Sequence, residues 1–447
     1  MKPLRSLTSL LVCLLLLLSL SGGAFAAGSP VLFDLPVRVD GTDATVRGYE
    51  DAYPGNYYLS LTDLAALFKG TPKQFRISCD TSTSSFYVTT GQASAAAGGR
   101  AGRSAGDAVS ISIYRNRLYV NDREKRCYTF RSGTELFMSV ADVQLMLDLN
   151  AEFDGDRLCF ATDRPFSPDV PALADGGYFD MFNSVLVGDA DTGDLLFSLS
   201  AGRPVPVASL SKLMTYLLVA EALQSGRIHA DDSVIISEEA ARISRSEDGA
   251  IRMGANAAYP LTELVGAMLL ASSNESAQAL AEHVAGDADS FVAMMNERAA
   301  QLGLRFTRYY TPSGLPVYSR DGMGAKLQNR MSAVDLFRLS QYLLTYFPEI
   351  TEITSQKMGK FEKLNYETYN SNPLVFNLEG VNGLKTGSTN KAGSCLVASL
   401  PVTVGDRTHT LVAVVLGAEH ASQRGQAAEM LLRWARDYYS EHGFDAG

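Results

Sequence analysis

The sequence predicts an α+β protein within the broad α/β class. The expected architecture is a five-stranded antiparallel sheet flanked by helices with an inserted helical lobe, preceded by a small β-rich repeat domain. Three observations carry it. Two early strands, Ser184–Gly188 and Leu195–Leu199, face each other across the turn Asp191-Thr192-Gly193-Asp194. Three late strands, Gly383–Ser388, Ser394–Ser399 and Thr410–Val415, follow one another closely enough to be antiparallel neighbours. Between the two groups, residues 230–350 carry helical periodicity with caps.

At 447 residues the chain is long enough for two or three domains. It opens with Lys2 and Arg5, an apolar run from Leu10 to Leu20, and the small-residue site Ala24-Phe25-Ala26. Residues 1–27 are therefore expected to be a secretory signal peptide, a membrane anchor only if retained. No other stretch is long enough to cross a bilayer. Loss of Lys2 and Arg5 takes the net charge from −10 to −12. An acidic chain without basic clusters argues against a nucleic-acid partner. The remaining cysteines, Cys79, Cys127, Cys159 and Cys395, make no metal motif and no dense disulfide framework, leaving open one bridge among the first three or free thiols.

Residues 31–164 read as β-rich with an internal repeat. In one copy Val37-Arg38-Val39-Asp40-Gly41 leads to Asn56–Leu61 and a short helix opening before Asp63; in the other Leu118-Tyr119-Val120-Asn121-Asp122 leads to Glu135–Val140 and a helix opening before Asp142. Gly91–Asp107, rich in Gly and Ala, separates them as an expected loop. Its Gly102-Arg103-Ser104-Ala105-Gly106 matches a G-x-S-x-G elbow but lacks the strand and helix that would strain the serine. Residues 165–177, with Pro165, Pro168 and Pro171, are expected to be a linker. The second domain is placed at 178–440. Every motif residue lies beyond this boundary, so the first domain is expected to be dispensable for chemistry.

The most informative stretch runs from Ala208 to Ser225. Its apolar density suits a buried helix, starting near Ser209 after Pro204 and Pro206 and stopped by Gly226. Ser209 and Lys212, three residues apart, share a helix face. A buried, unpaired ammonium is costly and lowers its pKa, and a neutral lysine touching a serine makes a nucleophile. In the lobe, Thr262 is expected to cap a helix ending near Ala271. A second helix runs from about Glu275 to Ala285, a third ends at Gly303, and a fourth opens at Ser332 with Asp335 completing a capping box. Ser272-Ser273-Asn274 falls at a helix junction, and Lys385-Thr386-Gly387 on a strand expected at the sheet edge facing the lobe. A last helix covers roughly Gln423–Tyr439.

The order S-x-x-K, S-x-N, K-T-G, each on its expected element, resembles the low-molecular-mass penicillin-binding proteins of the serine-type D-alanyl-D-alanine carboxypeptidase family. That family has the β-lactamase/transpeptidase-like fold. The likeness runs from about Gly177 to Tyr439 and is densest at Ala208–Lys212, Leu280–Gly286 and Gly383–Ser399; Ser211 and Ser273 depart from the commoner threonine and glycine. The repeat region resembles the stalk-like copper amine oxidase N-terminal-like domain of exported bacterial proteins. No copper is implied, because the first histidine is His229; a spacer or wall-polymer contact is.

The resemblance implies roles. Ser209 attacks the carbonyl between two D-alanines, Lys212 takes its proton, Ser272 relays a proton to the leaving amine, and Asn274 orders Lys212 and the substrate amide. Lys385 supplies positive potential, Thr386 and Arg424 bind the terminal carboxylate, and the Ser209 and Ser388 N–H groups form an oxyanion hole beside Gly387. Arg424 stands near a helix N-terminus, where the dipole disfavours a cation. The implied ligands are peptidoglycan stem peptides and β-lactams, with no metal or cofactor required, and the implied location is outside the cytoplasm. A β-lactamase, a D,D-endopeptidase or transpeptidase, or a silent wall-binding module are the alternatives. The glutamate a class A β-lactamase adds has one match, Glu362-Lys363-Leu364-Asn365, which lies far from the second motif. An intact triple motif argues against the silent module.

Overall fold

The computed structural model describes residues 32–50, 57–94, 117–127, 129–132, 134–166, 168–318 and 326–444. The leader, the G-x-S-x-G match and most of the Gly/Ala-rich stretch lie outside them. No helix among the described residues is long and apolar enough to cross a membrane.

The N-terminal domain holds β1 (Phe33–Val39), β2 (Thr42–Glu50), β3 (Tyr57–Ser60), β4 (Phe75–Asp80), β5 (Ser85–Thr90), β6 (Arg117–Val120), β7 (Arg123–Lys125), β8 (Thr129–Ser132), β9 (Glu135–Ser139), β10 (Asn150–Asp154) and β11 (Arg157–Ala161). They form a seven-stranded sheet, β10-β11-β1-β2-β3-β9-β8, and a four-stranded sheet, β4-β5-β6-β7. The repeat is visible in its caps. Ser60 accepts from Asp63 N to open α1 (Leu61–Leu67), and Ser139 accepts from Asp142 N to open α2 (Val140–Leu147). Arg47, buried between the copies, pairs with Asp63 at 2.7 Å and Glu135 at 2.6 Å.

The segment 165–177 departs from the expected linker. Asp169 caps a short helix, α3 (Val170–Asp175), whose early proline is tolerated because the first turn has no N–H partner to lose. Val170 is buried against Phe179 in the core of the second domain, and Phe166 packs with Leu145 and Met430. Phe166 and Val170 are buried and Leu173 is half-buried against both clusters, which ties the two domains together.

The sheet of the second domain has the expected five strands: β12 (Ser184–Asp189), β13 (Leu195–Leu199), β14 (Gly383–Thr389), β15 (Gly393–Val404) and β16 (Arg407–Ala418), in the order β13-β12-β16-β15-β14. β14, carrying K-T-G, is an edge strand. The lobe contains α4 (Lys212–Gln224), α5 (Glu238–Arg245), α6 (Leu261–Leu270), α7 (Asn274–Ala285), α8 (Ala288–Gln301) and α9 (Ala333–Tyr346); α10 (Leu374–Asn377) and α11 (Ala421–His442) follow. Two cap expectations change. Pro260, not Thr262, precedes α6. Ser332 caps α9, but Asp335 turns away to accept from Phe306 N and Thr307 Oγ1, so no capping box forms. Ser225 and Gly226, the latter at φ +70°, end α4 as the sequence indicates.

All four described cysteines are free thiols. Cys395 is buried in the core between sheet and lobe, and burial pushes its thiol up to about 11.

Candidate active site

Ser209 sits in a 3-10 turn, Ala208–Ser211, and the α-helix begins only at Lys212. The turn is strained: Ala208 has φ +50°, a conformation costly for a residue with a Cβ and concentrated at functional sites. Two glycines permit it. At Gly314, φ +87°, an added Cβ would stand 2.0 Å from Ala208 O. At Gly387 it would stand 2.8 Å from Val207 O and 3.0 Å from Ser209 N, so the third motif's glycine lets β14 run directly against the nucleophile turn. Ser211 donates to Ala208 O at 2.7 Å, giving this serine a local structural use.

Lys212 has 0% exposure. Its Nζ lies 2.9 Å from Ser209 Oγ and donates to Asn274 Oδ1 at 2.6 Å and Ser313 O at 2.8 Å. Burial, and then the charge of Lys385, hold its pKa well below the usual lysine range, while Glu275 opposes them. A neutral amine has two hydrogens and one lone pair. With both hydrogens given to Asn274 and Ser313, the lone pair is left for the Ser209 hydroxyl proton.

The second motif spans the turn between α6 and α7. Ser272 holds φ +60°, and its hydroxyl makes no hydrogen bond among the described residues. Ser273 caps α7, accepting from Ser276 N at 3.0 Å. Asn274 Nδ2 donates to Asp248 O at 2.7 Å, so its amide links the lobe loop to Lys212. Buried Glu275 secures that loop by accepting from Ala250 N and Ile251 N.

On the strand side Lys385 is 1% exposed and donates to Thr386 O at 3.1 Å; burial, then the charge of Arg424, lower it to about 7. Thr386 Oγ1 pairs with Ser371 Oγ at 2.7 Å. Arg424, near the start of α11, reaches β14 one step beyond the expected Thr386. Its Nη1 donates to Gly387 O (3.0 Å), Ser388 Oγ (3.0 Å) and Cys395 O (3.2 Å), and burial lowers it to about 10. The cation at the helix start is thus occupied by strand acceptors.

A cleft of 1490 Å³ opens over Ser209, Asn274 and Ser388, walled by Tyr310–Val317 on one side and Asp248 on the other. Glu362–Asn365 lies in a hairpin turn away from it, with Lys363 N and Leu364 N held by Glu263. Sequence reasoning missed Ser313, Asp248, Glu275 and Ser371. Thr311-Pro312-Ser313-Gly314 carries a turn signal that could have flagged the first; the other three act through long-range contacts with no local mark.

Comparison with known proteins places this part of the chain in a family. The family model described as D-alanyl-D-alanine carboxypeptidase matches residues 181–420. D-alanyl-D-alanine carboxypeptidase DacF of Bacillus subtilis is 31% identical over 266 residues, covering 58% of this chain and 63% of its own. DacD of Escherichia coli is 32% identical over 288 residues, covering 63% and 68%. The chain thus spans just under two thirds of the Bacillus relative. Among solved structures, a peptidoglycan synthesis regulatory factor (PBP3) from Streptococcus pneumoniae aligns with TM-score 0.53 at 30% identity over 59% of this chain and 74% of that one. Penicillin binding protein 5 from Haemophilus influenzae aligns with TM-score 0.51 at 30% identity over 57% and 70%. Over residues 181–420, more than half of its length, the chain belongs to the D-alanyl-D-alanine carboxypeptidase family.

Proposed function

We propose that the protein is an exported serine-type D-alanyl-D-alanine carboxypeptidase that removes the terminal D-alanine from peptidoglycan stem pentapeptides and is acylated by penicillins. The observation that carries this is the buried, deproton-prone Lys212 amine 2.9 Å from the Ser209 hydroxyl. As Ser209 Oγ bonds to the scissile carbonyl carbon, its proton passes to Lys212 Nζ. The oxyanion is held by the Ser209 and Ser388 N–H groups, each donor worth about 3 kcal/mol. The proton then moves through the Ser272 hydroxyl to the leaving amine as the C–N bond breaks. Water, deprotonated by Lys212, attacks the acyl ester carbon; the C–O bond to Ser209 then breaks, and Lys212 returns the proton to Ser209 Oγ. Lys385 and Arg424 supply the positive potential that selects a free terminal carboxylate, with Thr386 beside them. The N-terminal domain serves as a spacer or wall-polymer contact.

Fluorescent penicillin labelling and assay of free D-alanine from a pentapeptide test the reading. Covalent label on Ser209 together with D-alanine release is expected. Label without D-alanine release, accompanied by rapid β-lactam turnover, would make it a β-lactamase. Cleavage of cross-linked peptides alone would make it an endopeptidase, and no label at all a silent wall protein.

A further inference from the structure

The two domains meet at an unusual place. Arg126, just after β7, lays its guanidinium over two catalytic-domain rings, 4.2 Å from the Tyr369 centroid and 4.7 Å from that of Phe376. Its backbone is clamped as well: Arg126 N donates to Asn377 Oδ1 at 2.8 Å, and Asn377 Nδ2 donates to Arg126 O at 3.1 Å. One side-chain amide thus satisfies both backbone groups of a residue in the other domain. Lys125 adds a bond to Asn377 O.

The clamped segment, 369–377, is the one that braces the third motif. Ser371 Oγ meets Thr386 Oγ1 at 2.7 Å, and Asn372 Nδ2 donates to Gly383 O at 2.8 Å. β14 is an edge strand with no neighbouring strand on its outer side, so support from outside the sheet matters more there. The helix bearing Arg424 is touched too: Gln426 Nε2 donates to Ser139 Oγ at 3.0 Å, and Met430 packs against Leu145 and Phe166. By contrast, the hydrogen bonds of Lys212 to Ser209, Asn274 and Ser313 are all made inside the catalytic domain.

We propose that the N-terminal domain is a working part of the strand wall of the cleft, with Arg126 a positioning residue that sets β14 and its Lys385-Thr386-Gly387 through the segment 369–377. The dispensability expected from the domain boundary then fails for substrates read by their carboxylate. The substrate half of this inference rests on the function proposed above; the mechanical half does not.

The test uses the full chain. Arg126→Ala is compared with Arg123→Ala, which breaks an exposed pair with Glu379 at the same interface but outside the clamped segment. Tyr369→Leu attacks the clamp from the opposite domain and covers the case of Arg126→Ala misfolding. Hydrogen exchange across Gly383–Thr389 should quicken in Arg126→Ala and Tyr369→Leu but not in Arg123→Ala. Acylation by a free-carboxylate penicillin should slow by roughly 3- to 10-fold, the scale of coupling through packed networks, with its methyl ester hardly affected. Unchanged exchange in β14, or equal losses on acid and ester, overturns the proposal. If the wild type takes penicillin but releases no D-alanine, the carboxypeptidase reading falls while the acid–ester comparison still decides this one. If it takes no penicillin, exchange alone decides.

Discussion

On the helical wall of the cleft, Lys212 is enclosed by core and has Ser209, Asn274 and Ser313 within hydrogen-bond reach; on the strand wall, Lys385 donates to a single carbonyl and faces Arg424. Both are buried, and burial lowers both. The charges are graded: Arg424 lowers Lys385, and Lys385 lowers Lys212. A rigid constellation on the helical wall suits proton transfer, where a small displacement is costly. The edge strand opposite is braced from outside the sheet and keeps positive potential available for an anion. In the proposed mechanism, one residue type serves as base on one wall and as anion reader on the other, according to its partners.

The largest effect should come from the helical wall. Ser209→Ala is expected to fold yet take up no penicillin label, and label appearing on Ser104 or another residue would move the nucleophile elsewhere. Lys212→Arg should follow, with acylation lowered by roughly 100- to 10,000-fold, the range of general acid–base catalysis, because a guanidinium does not deprotonate. A stopped-flow acylation rate close to wild type would assign the base to another group.

The strand wall should give smaller and substrate-dependent effects. Arg424→Ala should lose about 10- to 100-fold in kcat/KM on free-carboxylate peptides, as for a lost hydrogen bond to a charged group, and little on substrates with that carboxylate blocked. Since Arg424 bonds Gly387, Ser388 and Cys395, equal losses on both substrates would mark it as a support of β14 alone.

The pH dependence sharpens the comparison further. Lys212 must be neutral, so its lowered pKa sets a limb of kcat/KM that rises with pH. Lys385, at about 7, is cationic only below that value. For carboxylate substrates kcat/KM should therefore fall as pH rises through about 7, and for blocked substrates this falling limb should vanish. Stability runs the other way. The folded value, about 7, lies below the ordinary 10.5, so between them the unfolded chain binds more protons, and the cost of burying Lys385 fades as pH rises. Urea midpoints from pH 7 to 10 should rise less steeply in Lys385→Met; an unchanged slope would mean that Lys385 titrates normally in the fold.

The sequence by itself determined what depends on near neighbours. The end of α4 at Ser225 and Gly226, the Ser60 and Ser139 caps, the Ser184–Leu199 hairpin and the strand order around K-T-G all follow from short-range periodicity and turn chemistry. The three motifs were legible for the same reason, each being a short run on one element. Only the tertiary structure decided which atoms those runs meet. Ser313 O completes the shell of Lys212 from 101 residues away, Ser371 occupies Thr386, and Arg424 stops at Gly387 and Ser388. Phe166 and Val170 turn a proline-rich stretch into a packed joint, and Arg126 finds two rings more than 240 residues further along the chain. A side chain's direction is set by the backbone it grows from, but its partner is set by where a distant backbone is packed, and no local pattern records that.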